Sequence, residues 1–165
     1  MGVLLATVLR LLVPLSILRW NLGGTLASML LDGFDTYLPD FPSLAEFGQY
    51  QRWDKSLDLY YLSLAFAVSL LWKNSWAKKS AIILYVLRAL GTILFLVTAS
   101  RSWLFFFPNF FEYFFLFQLG FLFLFKKNIF DQKRVTFPVL AILFILKLIQ
   151  EYILHYAQIE FWRWF

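Results

Sequence analysis

Four aspartates stand at a spacing that suits metal chemistry: Asp32 with Asp35, then Asp54 with Asp58. Residues three or four apart on a helix share a face, so each pair puts two carboxylates on one side. If the two helices form an antiparallel hairpin, the pairs face each other at one depth. Carboxylates crowded in this way near a membrane cannot all stay ionised without cations. Hard oxygen donors suit magnesium, manganese or calcium, so the stretch 31–61 reads as a candidate two-metal site. The rival reading is a solvated acidic rim, and same-face pairs on successive helices weigh against it.

The elements that must position these acids are hydrocarbon-loving. Of 165 residues, 61% are hydrophobic, 22% aromatic and only 15% charged, and the mean hydropathy is +0.69. A soluble domain would have too little polar surface to cover such a core, so the expected solvent is the lipid bilayer. The expected fold class is all-α, a polytopic membrane helix bundle forming a single integral membrane domain over residues 1–165. With no cysteine, disulfides, thiolate metal sites and cysteine nucleophiles are excluded, and the one histidine excludes a multi-histidine zinc or haem site within this chain. The net charge of +5 sits in short loops between apolar segments, which argues for membrane orientation and against nucleic acid as a partner.

Six apolar segments are predicted, over residues 1–20, 25–38, 56–72, 80–100, 103–125 and 135–159, each of the last three near the ~20 residues a bilayer demands. The first resembles a signal peptide in length, but Arg10 and Pro14 interrupt it and no small-residue cleavage site follows, so it reads as a first helix, spanning or interfacial. Asn21 to Gly24 read as a polar turn. Pro39 and Pro42 end the second helix and open a loop of mixed polarity that reaches Trp53. Tyr60 and Tyr61 read as interface anchors, and the phenylalanine-rich fifth segment as lipid-facing and packing surface.

Charges inside apolar segments are costly and face a cavity or a partner. Arg10, Arg88 and Lys147 fall near mid-helix, and Glu112, Glu151 and His155 lie nearer the aspartate level. Lys147, Glu151 and His155, spaced i, i+4, i+8, make one polar stripe with Gln150 beside it. One reading is a polar cavity, lined by Glu112, Glu151 and His155, in which Arg10, Arg88 and Lys147 bind a substrate phosphate. The other is internal ion pairing, Arg88 with Glu112 and Lys147 with Glu151, that only holds helices together.

The aspartate pattern, D-x2-D-x18-D-x3-D, resembles the signature of the CDP-alcohol phosphatidyltransferase family, D-x2-D-G-x2-A-R-x8-G-x3-D-x3-D. The middle spacer there is one residue shorter than here, or equal in a longer variant. Thr7-Val8-Leu9-Arg10-Leu11 likewise resembles the T-x-x-R-L stretch that often opens the family's chains. The likeness runs loosely over the first 75 residues. It departs where Thr36, Pro39-Asp40 and Tyr50 stand at the first glycine, the Ala-Arg pair and the second glycine, positions that help hold the cytidine diphosphate group. The resemblance implies six helices, Mg2+ or Mn2+ as cofactor with up to two ions, and Asp32, Asp35, Asp54 and Asp58 as ligands, Asp58 doubling as general base. It also implies phosphoryl transfer from a diphosphate-linked donor to an alcohol, a lipid or lipid-linked phosphate substrate, and a homodimer.

Orientation divides the two arguments. The loops after the odd segments hold Arg19, Lys73, Lys78, Lys79, Lys126, Lys127, Lys133 and Arg134, which puts them in the cytoplasm and the aspartates outside. The resemblance puts the aspartates at the cytoplasmic side. Two other functions remain: a non-catalytic membrane subunit or degenerate family member acting through helix packing with partners, and a small transporter using the buried Arg, Lys and Glu set.

Overall fold

A computed structural model describes residues 2–35, 47–126, 130 and 133–151, with only the backbone of residues 2, 34, 35, 47, 133, 150 and 151. Among these residues every regular element is helical. In order they are α1 (Gly2–Leu12), a 3-10 segment (Val13–Leu18), α2 (Asn21–Asp35), α3 (Phe47–Ser69), α4 (Ser75–Thr98), α5 (Ser102–Phe106), α6 (Phe110–Phe125) and α7 (Lys133–Glu151).

The punctuation follows local chemistry. Pro14, which has no N–H to give, falls at the start of the 3-10 segment and ends α1 as a regular helix. The Asn74 side chain accepts from the Ala77 amide at 2.9 Å and caps α4, and Asn109 does the same for α6 through the Glu112 amide at 3.3 Å. Both helices close on a left-handed residue, Ala99 at φ 56° and Lys126 at φ 53°.

Four expectations about elements need correcting. Asn21 to Gly24 form the first turn of α2 and not a loop, because Gly24 lets α2 press onto the 3-10 segment: a Cβ there would lie 2.5 Å from the Ile17 nitrogen. Helix α3 starts at Phe47, so Asp54 and Asp58 sit well inside it and not at its start. The basic stretch 73–79 is already helical from Ser75. The fifth segment is broken over Phe107–Asn109 around Pro108, which offers no N–H and whose ring crowds the preceding turn. The predicted helix end at 152–159 lies outside the described residues.

Helix α3 packs against α1, the 3-10 segment, α2, α4 and α6, and so holds the centre. Its buried face, Tyr61, Leu62, Ala65 and Val68, meets Ile17, Ala77, Ala81, Phe111, Phe114, Phe115 and Leu119. Aromatic rings set the spacing: Phe66 stacks on Tyr85 at 4.1 Å between centroids, and Trp72 on Phe115 at 5.5 Å. The phenylalanines of α6 are thus divided between core and periphery, Phe111 and Phe115 being fully buried while Phe123 is 72% exposed. Leu71, Val97 and Leu124 are also largely exposed. Among the described residues two stretches are long and apolar enough to cross a membrane, Ser75–Thr98 and Ser102–Phe125, the latter taken through its break.

Candidate metal centre and polar cavity

Helices α1, α2 and α3 bring their charged residues to one point. Arg10 of α1 is 4% exposed and reaches three carboxylates: Nη2 lies 2.5 Å from Asp32 Oδ1 and 2.7 Å from Asp58 Oδ1, and Nη1 lies 2.7 Å from Asp54 Oδ1. The guanidinium also sits 5.4 Å from the Trp53 ring centroid, and the Trp53 indole donates to the Thr7 hydroxyl at 3.1 Å, which fixes α1 on α3. On the outer side, Lys55 Nζ bridges Asp54 Oδ2 at 2.7 Å and Asp58 Oδ2 at 2.6 Å. One carboxylate oxygen from each of Asp32, Asp54 and Asp58 falls within 4.8 Å of the others.

Asp54 and Lys55 precede the apolar run of α3. Burial pushes the Asp54 carboxyl up, but Lys55 and Arg10 together hold it below the usual carboxylate range. Burial likewise opposes the Lys55 ammonium, yet Asp58 and Asp54 hold its pKa above the ordinary lysine value. Counted with every group ionised, the three carboxylates and two cations sum to one net negative charge.

The donor set fits a hard divalent ion. Three carboxylates on two helices present oxygens close enough for one ion to bridge at the ~2.0–2.6 Å typical of magnesium or calcium. Lys55 stands in such a bridging position already.

These acids form one wall of a cavity of about 670 Å³. Arg88, Arg101, Lys147 and Glu112 also line it, and Leu104 and Phe105 of α5 add an apolar edge. Arg88 is 6% exposed, and its Nη1 donates to the Phe107 carbonyl at 3.3 Å, while its Nε has no hydrogen-bond partner among the described residues. Lys147 Nζ lies 4.8 Å from the Tyr113 ring centroid. Glu112 accepts from the Tyr61 hydroxyl through Oε1 and from the Asn109 amide at 2.6 Å through Oε2.

Asp32, Asp54 and Asp58 therefore converge as the spacing predicts. The side chain of Asp35 lies outside the described residues, as do those of Glu151 and Gln150 and the whole of His155. Arg88, Lys147 and Glu112 line the cavity, but Arg10 does not: it is consumed by the aspartates, because α1 lies directly against α3. The expected Arg88–Glu112 pair is replaced by Arg88 to a backbone carbonyl and Glu112 to neutral donors. Tyr61 is 5% exposed and serves Glu112, so it is no interface anchor. Two charged cavity residues, Lys55 and Arg101, stand outside the sequence-based expectations. Lys55 was legible from its place between Asp54 and Asp58, whereas Arg101, whose Nε donates to Gln51 at 2.7 Å, gave no signal beyond a charge in a tight turn.

Comparison with family models, curated proteins and solved structures finds no match to this chain.

Proposed function

We propose that this chain is a six-span membrane enzyme, a divalent-metal-dependent phosphoalcohol transferase similar to the CDP-alcohol phosphatidyltransferases. The observation that carries the reading is a single cavity with three convergent carboxylates on one wall and Arg88, Arg101 and Lys147 among the residues facing it. The wide apolar periphery supports a bilayer around the bundle, since monomeric soluble proteins rarely expose contiguous apolar patches beyond a few hundred Å².

In this reading Asp32, Asp54 and Asp58 would hold Mg2+ or Mn2+, which would neutralise a diphosphate and polarise its phosphorus–oxygen bond. The acceptor hydroxyl oxygen attacks the phosphorus, the bond to the leaving phosphate breaks, and Asp58, the family's usual base, takes the hydroxyl proton. Arg88 and Lys147 supply fixed positive charge to the phosphate being transferred. Tyr50 lines the cavity where the family signature has its second glycine, which narrows the place for a cytidine group and favours a lipid-linked diphosphate donor. The experiment is Mn2+ binding to the detergent-purified chain: wild type binds, Asp54→Asn loses most of the affinity, and equal binding by both removes the metal site.

One observation favours a second reading. Arg10 and Lys55 already neutralise most of the carboxylate charge, as expected of an ion cluster that fastens α1, α2 and α3 in a non-catalytic membrane subunit. In that case wild type binds no Mn2+ and Asp54→Asn affects only stability.

A further inference from the structure

The two cations at the aspartates are not equivalent. Arg10 takes the inner oxygens, is almost wholly buried, touches all three carboxylates and rests on Trp53. It has no way out. Lys55 takes the outer oxygens, Oδ2 of Asp54 and of Asp58, is 25% exposed and lines the cavity. It hangs on a flexible four-carbon stem. A cation in the cavity finds Lys55 on the outer oxygens of Asp54 and Asp58 and competes with it for the same two carboxylates.

We propose that Lys55 is a tethered cation that a divalent ion displaces from Asp54 and Asp58, and that the freed ammonium joins Arg88, Arg101 and Lys147 in a site for a phosphate-class anion. The inference rests on the metal reading above and adds to it a coupling between the two walls of the cavity. Charge favours the exchange. Three carboxylates, Arg10 and one divalent ion sum to zero, whereas retaining Lys55 among them leaves an excess positive charge in a buried place. The anion side has its own signature in Arg88, whose buried Nε lacks a partner among the described residues and whose side chain lines the same cavity. A buried donor left unsatisfied is costly, and a turn of the Arg88 guanidinium toward an anion in the cavity would satisfy it. Each ligand then raises the affinity of the other by the same factor, as linkage demands.

The test uses the full chain in detergent, with Mn2+ followed by electron paramagnetic resonance and inorganic phosphate by calorimetry. A parallel arm places the chain in nanodiscs and replaces phosphate by phosphatidic acid, which separates a free anion from a lipid headgroup. Lys55→Met is expected to bind Mn2+ about tenfold tighter than wild type, the effect of removing a competitor worth one factor of ten. The same variant loses the gain in anion affinity that Mn2+ gives wild type, in whichever arm shows binding. Lys55→Arg, whose planar fork holds both carboxylates more firmly, binds Mn2+ more weakly than wild type, and it decides the matter if Lys55→Met does not fold. Wild type and Lys55→Met with equal Mn2+ affinity, or no Mn2+-dependent anion binding in either arm, overturns the exchange while leaving the metal site in place. No Mn2+ binding by wild type or either variant removes the metal site, and the exchange with it.

Discussion

Replacing Arg10 by methionine keeps the length and apolar stem of the side chain and removes only its charged head. Three carboxylates at 2.5–2.7 Å then lose their shared partner, and among the described residues Lys55 alone remains as their cation. Breaking a buried ion pair by deleting one partner costs about 3–5 kcal/mol, because the remaining charge is left uncompensated. Arg10 is 4% exposed, which places it at the buried end of that range, while Asp32, at 36%, recovers some hydration and keeps the sum from growing with each lost contact. The expected loss is therefore about 3–5 kcal/mol in total, and thermal unfolding in detergent should shift down by roughly 10 °C. A second arm adds Mn2+. In Arg10→Met the ion should restore much of the lost stability, since a ligand that binds only the folded state stabilises it. A variant that melts within a degree or two of wild type would refute the view of Arg10 as the counter-ion that lets three acids share one buried place.

Two further outcomes follow from the geometry. Gly24→Ala puts a Cβ against the Ile17 backbone, which cannot yield as a side chain can, so a loss of about 1–3 kcal/mol is expected in the same melting assay. Asp54 is held below its ordinary pKa, so its contribution to stability is fully present above pH ~4 and is lost as pH falls through the lower, folded-state value. Asp54→Asn should therefore remove part of the fall in melting temperature that wild type shows below pH about 4.

The convergence of Asp32, Asp54 and Asp58 could be read from spacing alone, because helical periodicity fixes which side chains share a face. Arg10 could not be placed so easily. Its distance in sequence from Asp54 says nothing about which helix α1 lies against, and that is decided by tertiary contacts such as those of Trp53 with Thr7 and Arg10. The segment pattern over 80–100 was legible since a long apolar run needs no tertiary help to be helical. The break in the fifth segment has a local signal: Pro108 and Asn109 in the middle of an apolar run are a stop followed by a cap. Lys55 is a similar local signal, an ammonium placed in sequence between two acids.

That stop has an effect reaching beyond the two short helices it separates. Were residues 102–125 one unbroken helix, the Phe107 carbonyl would be spent on an amide one turn ahead and Arg88 could not use it. Asn109 would have no helix start to cap and no reason to lean toward Glu112. A single proline in a greasy stretch thus supplies an oriented oxygen and a side-chain amide at a depth where neither is cheap to obtain, and so gives an oily bundle the means to house a charged guest.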